Sequence, residues 1–211
     1  KALRATDAGM TLEVVALPAS STEEECIEAI KEPGADAVIV QLPLPPGLST
    51  ERVVDAIPRM KDADVLSSIT YEGFLANDNA LLPPVVEAVK EILQRTGTLV
   101  SGKQVVVIGQ GKLVGLPVAA WLLRMNASVE VVTKETPEDE LRALLKSADI
   151  VVSGAGSPGI IVPDSIQEGV CIIDAGTSES DGQMVGDADP ACTQKSSVFT
   201  PVPGGVGPIA V

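Results

Sequence analysis

A glycine-rich segment separates a strand-like run, Gln104 to Ile108, from a helical pattern in the second half of the chain. It reads Gly109-Gln110-Gly111-Lys112-Leu113-Val114-Gly115. A helix that begins after such a turn presents backbone N–H groups and the positive end of its dipole, and both bind a pyrophosphate. The GxGxxxG spacing is one residue longer than the usual dinucleotide fingerprint, so a tight turn that binds no nucleotide is the alternative interpretation.

The next strand-like run, Ser128 to Thr133, is followed by Lys134 rather than by an acidic residue. An acidic side chain at this edge hydrogen-bonds the ribose 2′-hydroxyl of NAD, whereas a cation accommodates the 2′-phosphate of NADP. Thr133 and Lys134 therefore favour NADP, and NAD stays open as the alternative.

An amide and a carboxylate in the first half of the chain form a second candidate site. Gln41 lies at the end of a strand-like run, and Asp64 closes the segment Lys61-Asp62-Ala63-Asp64. Together they can bind a heterocycle that carries amino and oxo groups, because an amide both donates and accepts and a carboxylate accepts hydrogen bonds. On spacing alone, both could equally be solvated loop side chains.

A third candidate is Thr200 to Pro208, which holds three glycines and three prolines. These residues fix a backbone shape rather than supply side-chain chemistry. The segment is expected either to pass close to a ligand or to serve as a linker.

The composition excludes several classes of function. The chain of 211 residues has no histidine, so His-based nucleophile systems, zinc sites and pH switches are excluded. A formal charge of −14 argues against a nucleic-acid partner. The 3 cysteines form no CxxC pair, which favours a reducing cytoplasm without metal. No apolar run approaches the roughly 20 residues of a membrane span.

The elements that would position these residues alternate between strand and helix, which predicts an α/β fold. In the second half, the succession of strand, glycine loop, helix and strand is that of a dinucleotide-binding half-fold. The predicted strands are Leu12 to Leu17, Ala35 to Leu42, Gln104 to Ile108, Ser128 to Thr133, Ile150 to Val152 and Val170 to Asp174. The predicted helices follow Ser21, span Glu51 to Ile57, begin at Pro83-Pro84, run from the glycine loop through Leu123, and follow a cap at Thr136 to Asp139.

Five segments, in this order, resemble the bifunctional methylenetetrahydrofolate dehydrogenase/methenyltetrahydrofolate cyclohydrolase family. The resemblance covers essentially the whole chain. The segments are Val40 to Pro45, Lys61 to Asp64, Gly109 to Pro117, Val185 to Asp189 and Pro203 to Pro208.

The resemblance implies NADP-dependent oxidation of 5,10-methylenetetrahydrofolate to 5,10-methenyltetrahydrofolate, and hydrolysis of that product to 10-formyltetrahydrofolate. It implies two α/β domains with a cleft between them. Residues 1–98 would form the folate-binding and catalytic domain, to which residues 201–211 return, and residues 99–200 a Rossmann NAD(P)-binding domain with a parallel sheet. It further implies a cytoplasmic homodimer that acts on tetrahydrofolate derivatives.

The resemblance also implies roles for single residues. Lys1 lies eight residues before Gly9, as the family's central lysine lies before a glycine, so Lys1 would be catalytic. Gln41 would hydrogen-bond it, and Asp64 would hold the pterin ring through its amino group. The implied substrate-binding residues are Gln41, Leu42, Pro43, Asp64, Pro203, Gly204, Gly205, Val206, Gly207 and Pro208. The implied cofactor-binding residues are Gly109, Gln110, Gly111, Leu113, Val114, Gly115, Thr133, Lys134, Gly154, Ala155, Gly156, Gly176 and Thr177.

Some positions depart from the family pattern. Val65 stands where a glycine commonly follows the aspartate, and Gly109-Gln110-Gly111 replaces Gly-Arg-Ser, which removes a cation near the phosphates. Two further hypotheses therefore stay open, an enzyme with cyclohydrolase activity alone and a non-catalytic folate- or nucleotide-binding relative. The family's tyrosine before the lysine and its closing helix are lacking, so we expect a fragment truncated at both ends, with weak turnover or none.

Overall fold

The structure is a computed structural model that describes residues 2–31, 34–78, 81–180 and 182–210. The described residues form two compact units, which divide between Pro84 and Val85. The division lies earlier in the chain than the boundary expected at residue 98, and residues 201–210 belong to the second unit. The long helix that begins at Pro84 accounts for the earlier division, because from Val85 onward it is part of the second unit.

The first unit is built mainly from short helices. Thr22 and Glu25 form a reciprocal capping box at the start of the second helix, and Cys26 and Ile30 turn inward from it. With Val53, Val54 and Ile57 they form a small apolar core. The helices are α1 (Ala2–Asp7), α2 (Glu23–Ile30), α3 (Thr50–Asp55) and α4 (Ser68–Leu75), with a 3₁₀ turn at Arg59–Lys61.

Two strands expected in the first unit are absent, so those predictions are wrong. Residues 12–17 have no regular structure, and Val14 and Val15 are 74% and 56% exposed. Between residues 35 and 42 the only pairing is an isolated parallel bridge from Val38 to Asp62. An apolar, β-branched run becomes a strand only where a neighbouring strand takes up its backbone hydrogen bonds, and no described residue pairs with residues 12–17.

The second unit contains a five-stranded, fully parallel sheet in the order β2-β1-β3-β4-β7. Its central strands are apolar runs buried almost throughout, as expected for a sheet covered on both faces. The strands are β1 (Gln104–Ile108), β2 (Ser128–Val132), β3 (Ile150–Ser153), β4 (Cys171–Asp174) and β7 (Val198–Phe199). An antiparallel hairpin, β5 (Ser178–Ser180) and β6 (Gln183–Val185), stands apart from the sheet.

The three longer helices of the second unit contribute buried residues to its core. Val86, Val89 and Leu93 of the first of them are buried, and Leu145 of the third is fully buried in the core with Ile108 and Ile172. The helices of the second unit are α5 (Pro84–Arg95), α6 (Gly115–Arg124), α7 (Glu138–Ser147) and α8 (Gly207–Ala210), with 3₁₀ turns at Pro163–Ser165 and Pro190–Gln194.

The predicted cap of α7 is wrong in detail. Pro137 occupies the N-cap position, and no side chain caps the helix. Thr136 instead accepts a hydrogen bond from the backbone N–H of Thr133 at 3.1 Å, so it closes the turn after β2. None of the helices in the described part of the chain combines the length and the apolar character that crossing a bilayer requires.

Candidate functional site

Four loops of the second unit leave the same edge of its sheet. All the strands are parallel, so the segments after β1, β2, β3 and β4 all begin at the carboxyl edge. From β1 the chain proceeds to β2 on one side and later to β3 on the other, so the strand order reverses at β1. In open α/β sheets the crevice at such a reversal is where ligands bind.

The glycine loop after β1 packs backbone against backbone at this point. A Cβ at Gly115 would overlap the carbonyl oxygen of Gly109, and a Cβ at Gly109 would lie 2.9 Å from the carbonyl oxygen of Gly154. Gly109 also has a φ of +99°, which strains any other residue. The glycines therefore let the loops after β1 and β3 pack backbone against backbone, as the glycines of a dinucleotide-binding turn do.

The start of α6 also suits an anionic ligand. Val114 occupies its N-cap position without a side-chain hydrogen bond to the helix. A helix N-terminus without a side-chain cap can offer its first N–H groups and its positive dipole end to an anion. Leu113 is 54% exposed, and Gln110, Gly111 and Lys112 are exposed beside it, so the predicted cofactor loop is open to a ligand.

The loop after β2 presents both residues that were expected to select the cofactor, and a carboxylate beside them. Thr133 donates its hydroxyl to Glu135 at 2.6 Å, and the Glu135 N–H donates to the same hydroxyl at 3.2 Å. Lys134 is 90% exposed, with its ammonium 3.8 Å from the Glu135 carboxylate. Glu135, which no sequence pattern indicated, therefore interacts with both side chains that were predicted to bind the 2′-phosphate.

The loops after β3 and β4 carry the other predicted cofactor residues. Gly154 is half-buried and donates its N–H to the Ile108 carbonyl at 2.9 Å, which ties the loop after β3 to β1. Ala155, Gly156 and Thr177 are exposed, whereas Gly176 is buried. The structure thus gathers these residues at the carboxyl edge with the glycine loop.

A cavity of about 220 Å³ in the second unit is lined both by predicted cofactor-binding residues and by predicted substrate-binding residues. Its wall includes Gly176 and Thr177 on one side and the segment from Pro203 to Pro208 on the other. The segment from Pro203 to Pro208 therefore lines a cavity and does not act as a linker. Val206 is its one buried residue, and Gly204, Gly207 and Pro208 are exposed.

Asp174, at the end of β4, is the one carboxylate in the wall of this cavity among the described residues. It is 1% exposed, and burial raises its pKa to about 6. The N–H groups of Ala188 and Gly176 oppose that rise, while the charge of Asp187 adds to it. Thr200 orients the strand end by accepting the Asp174 N–H at 2.7 Å.

In the first unit, a parallel bridge between Val38 and Asp62 aligns the two segments that carry the predicted residues Gln41 and Asp64. Gln41 follows Val38 and Asp64 follows Asp62 in the sequence. Because the two segments run in the same direction, both residues lie beyond the same end of the bridge. Gln41 is exposed and donates its side-chain amide to the Leu42 carbonyl at 2.9 Å, and Asp64 is half-buried. Leu42 is half-buried and Pro43 exposed beside them.

A neighbouring carboxylate that the sequence analysis did not single out holds the Asp64 segment in shape. Asp62 is fully buried and accepts hydrogen bonds from the Ser67 N–H at 2.8 Å, the Ser67 hydroxyl at 2.7 Å, the Leu66 N–H and the Thr70 hydroxyl. Val65, where the family pattern has glycine, is buried with a φ of +55°. A β-branched residue in this region is strained by about 1–2 kcal/mol, and the Asp62 network supports it.

Lys1, the predicted catalytic residue, lies outside the described residues. No group of three or more His, Cys, Asp or Glu side chains within residues 2–31, 34–78, 81–180 and 182–210 could hold a metal ion. The cysteines are free and buried, and burial raises the pKa of Cys171 and Cys192 to about 11. These two thiols are therefore protonated at neutral pH and are poor nucleophiles.

Comparisons with known proteins agree with this geometry. Residues 83–211 match the family profile "Tetrahydrofolate dehydrogenase/cyclohydrolase, NAD(P)-binding domain". Residues 1–64 match the profile "Tetrahydrofolate dehydrogenase/cyclohydrolase, catalytic domain". The chain is 37% identical over 217 residues to the bifunctional protein FolD of Aliarcobacter butzleri, which covers 100% of this chain and 75% of that protein.

Solved structures show the same likeness. The bifunctional FolD methylenetetrahydrofolate dehydrogenase/cyclohydrolase of Campylobacter jejuni is 30% identical with a TM-score of 0.94, over 99% of this chain and 76% of that one. The Trypanosoma brucei enzyme, solved as a complex with NADP cofactor and inhibitor, is 35% identical with a TM-score of 0.91, over 98% of this chain and 74% of that one.

Proposed function

The chain belongs to the tetrahydrofolate dehydrogenase/cyclohydrolase family, and from this we propose that it oxidises 5,10-methylenetetrahydrofolate with NADP and hydrolyses the resulting methenyl compound. The observation that carries the proposal is the carboxyl edge of β1 and β3, where the glycine loop packs backbone against backbone and α6 begins without a side-chain cap. Gly109, Gly115 and Gly154 leave no room there for a side chain, which is how the glycines of a dinucleotide-binding turn allow close backbone packing. The product of the two steps is 10-formyltetrahydrofolate.

The second unit would hold the cofactor. The glycine loop and the N-terminus of α6 would receive its pyrophosphate, while Thr133 and Lys134 would face its 2′-phosphate. When bound, the nicotinamide supplies a hydride acceptor. The loops after β3 and β4 and the segment from Pro203 to Pro208 would orient the ring and exclude water, which is what a direct hydride transfer requires of a protein.

The first unit would hold the folate. Asp64 carries the acceptor oxygens that suit the amino group of a pterin, and Gln41 supplies an amide at the same end of the Val38 bridge. Lys1 is the proposed proton carrier of the hydrolysis, because a lysine whose pKa is lowered by burial can act as a base without any histidine. We further propose a cytoplasmic homodimer.

A specific observation favours a second candidate function, cyclohydrolase activity without the dehydrogenase. Gln110 stands where the family pattern has arginine, and Glu135 places a carboxylate beside Thr133 and Lys134. Both features lower the positive charge offered to the phosphates of NADP.

Two rates measured on one preparation separate the candidates. Reduction of NADP by 5,10-methylenetetrahydrofolate is followed by the absorbance of the reduced nicotinamide, and hydrolysis by the loss of the methenyl absorbance. At the low rates expected of residues 1–211, we expect any turnover to include both activities. Hydrolysis without reduction, with NADP or with NAD, would contradict the dehydrogenase and support the second candidate.

A lysine substitution tests the assignment of Lys1. Lys1→Met is expected to slow hydrolysis by about a hundredfold or more, the usual contribution of a general acid or base. Lys31→Met is the matched control, because Lys31 is exposed and its ammonium forms an ion pair with Glu28 at 3.2 Å. Equal rates in both variants would remove Lys1 from the mechanism.

A further inference from the structure

The segment Val185 to Asp189 contains a carboxylate whose contacts the proposed reaction does not explain. Asp187 is fully buried, so it cannot touch a ligand from solvent. Its Oδ2 accepts hydrogen bonds from the Ser153 hydroxyl at 2.6 Å, the Ala155 N–H at 2.9 Å and the Gly156 N–H at 3.3 Å. Its Oδ1 accepts one from the Ser157 N–H at 2.5 Å.

Three consecutive N–H groups therefore converge on one carboxylate, and they belong to the loop that leaves β3 at the cofactor edge. Convergent N–H groups of this kind form a concave anion site, which many proteins use for phosphate. Here the chain's own carboxylate occupies it. The N–H groups of Ala155, Gly156 and Ser157 are consequently committed to the protein and fix the loop's backbone.

Asp174 plays the corresponding part for the loop after β4. It accepts hydrogen bonds from the Gly176 N–H at 2.9 Å and from the Ala188 N–H at 2.8 Å. Asp174 thus reaches across to the segment that carries Asp187, since Ala188 directly follows Asp187.

The glycines of the two segments allow the two carboxylates to pack this closely. A Cβ at Gly176 would collide with the Asp187 carboxylate, and a Cβ at Gly186 would collide with the Asp174 carboxylate. Glycine at both positions lets the two backbones approach the two buried side chains. The packing of the Asp187 and Asp174 side chains therefore requires glycine at positions 176 and 186.

We propose that Asp187 is a positioning residue, which locks the loop of residues 154–157 into the conformation that binds the dinucleotide, with Asp174 locking the loop of residues 175–177. The inference rests on the proposed function, because it assumes that these loops face the cofactor. It predicts that cofactor affinity depends on a carboxylate that does not touch the cofactor.

The test compares Asp187→Asn with Asp189→Asn in the chain of residues 1–211. An asparagine at 187 turns an NH₂ group toward N–H donors and leaves at least one of them unpaired. Asp189 is the matched control, because its side chain only caps a 3₁₀ turn by accepting the Ala191 N–H at 2.8 Å. Calorimetry measures the dissociation constant for NADP, and amide hydrogen exchange of the ligand-free protein measures the protection of residues 155–157.

For Asp187→Asn we expect a dissociation constant for NADP raised about tenfold to a hundredfold, as follows from misplacing a binding loop. We also expect the protection of residues 155–157 to be lost while the amides of β1 and β3 stay protected. Asp189→Asn should match the wild type in both readouts. Unchanged affinity, or protection lost evenly through the whole sheet, would overturn the proposal.

A milder variant keeps the test decisive if Asp187→Asn fails to fold. Ser153→Ala removes a single hydrogen bond to Asp187, and it should weaken NADP binding about threefold to tenfold while rescue by Ser153→Thr restores it in part. An unchanged dissociation constant for Ser153→Ala would also contradict the lock. Wild-type protein that binds no NADP at all would contradict the proposed function. Wild-type protein that binds NADP with an affinity that neither variant alters would contradict only the positioning role of Asp187.

Discussion

The two units of the chain contain similar apolar sequence patterns but treat them in opposite ways. In the second unit, the runs that become β1, β3 and β4 are buried almost completely between neighbouring strands. In the first unit, the equally apolar run from Leu12 to Leu17 is exposed and unpaired among the described residues. An apolar pattern therefore predicts a strand only when partners for its backbone are at hand.

The candidate sites differ in the same way. In the second unit, the shared carboxyl edge of a sheet gathers loops that are far apart in the sequence. In the first unit, one isolated bridge and the local hydrogen bonds of Asp62 position the candidate residues. We infer that the cofactor site depends on a rigid scaffold, whereas the folate residues depend on a few polar contacts.

The strongest test of this contrast compares one apolar truncation in each unit. Ile172→Ala, at a fully buried position of β4, should lower the free energy of unfolding by about 4 kcal/mol, from lost burial and the cavity left behind. Val14→Ala should change it by less than about 0.5 kcal/mol, because that side chain is 74% exposed. Urea denaturation measures both. Equal losses would show that residues 12–17 are packed in solution, and the contrast would be wrong.

The scaffold of the cofactor edge can be disturbed by a single methyl group. Gly115→Ala should cost about 3 kcal/mol of unfolding free energy, because its Cβ overlaps a backbone oxygen of Gly109 that no rotamer change can move. Gly111→Ala in the same loop is the stability control, since its Cβ would meet no atom within 4 Å. A Gly115→Ala protein as stable as Gly111→Ala would mean that the loops do not approach as closely as described.

The buried carboxylate Asp174 should make the stability of the second unit depend on pH. Burial raises its pKa from 3.8 to about 6, so the native state holds this proton to a higher pH than the unfolded state does. The associated stability is fully present below about pH 4 and is lost as the pH rises through about 6, in total about 2–3 kcal/mol.

Denaturant curves of wild type and Asp174→Asn at several pH values isolate this titration. Relative to the variant, the wild type should lose stability between about pH 4 and pH 6 and stay level above pH 7. A difference between the two proteins that does not change with pH would contradict the raised pKa.

In the first unit, the local network predicts a smaller effect. Asp62→Asn should cost about 2 kcal/mol, because the buried donors of Ser67 and Thr70 lose a charged acceptor. It should also weaken folate binding, since Asp64 lies two residues away. Asp78→Asn, which only breaks an exposed ion pair with Arg59, should cost less than about 1 kcal/mol. Folate binding that survives Asp62→Asn unchanged would separate Asp64 from this network.

The smallest effect is expected at the exposed loop after β2. Glu135→Gln should tighten NADP binding about threefold to fivefold without changing NAD binding, because it removes a carboxylate beside Thr133 and Lys134. Glu138→Gln, whose partner is Arg142 on the exposed face of α7, is the control. Calorimetric titrations with both cofactors measure the difference, and an equal change for NAD would exclude a role for Glu135 in selectivity.

Local patterns predict much of the second unit and less of the first. β1 has the predicted bounds, and α5 begins at the predicted prolines, because apolar runs and helix starts are local signals. The strands predicted in the first unit were wrong because strand pairing depends on residues that are distant in the sequence. The predicted NAD(P)-binding fold followed from the order of elements, which a parallel sheet fixes.

The candidate sites divide along the same line. The glycine loop and the pair Thr133 and Lys134 could be predicted because each lies within a few residues of a strand end. The role of Asp187 could not, since its partner Ser153 lies 34 positions earlier in the chain. Its only signal was the segment Val185 to Asp189, which the family resemblance marked without a role. The assignment of Lys1 stays a prediction.

The central claim is that the carboxyl edge of the second unit's sheet binds NADP, and a titration followed by amide NMR tests it most directly. We predict that NADP shifts the amide signals of residues 109–115, 133–134, 154–156 and 176–177, and that those of residues 12–17 stay in place. Saturating NADP that leaves these four loops unshifted, or shifts only residues of the first unit, would contradict the account.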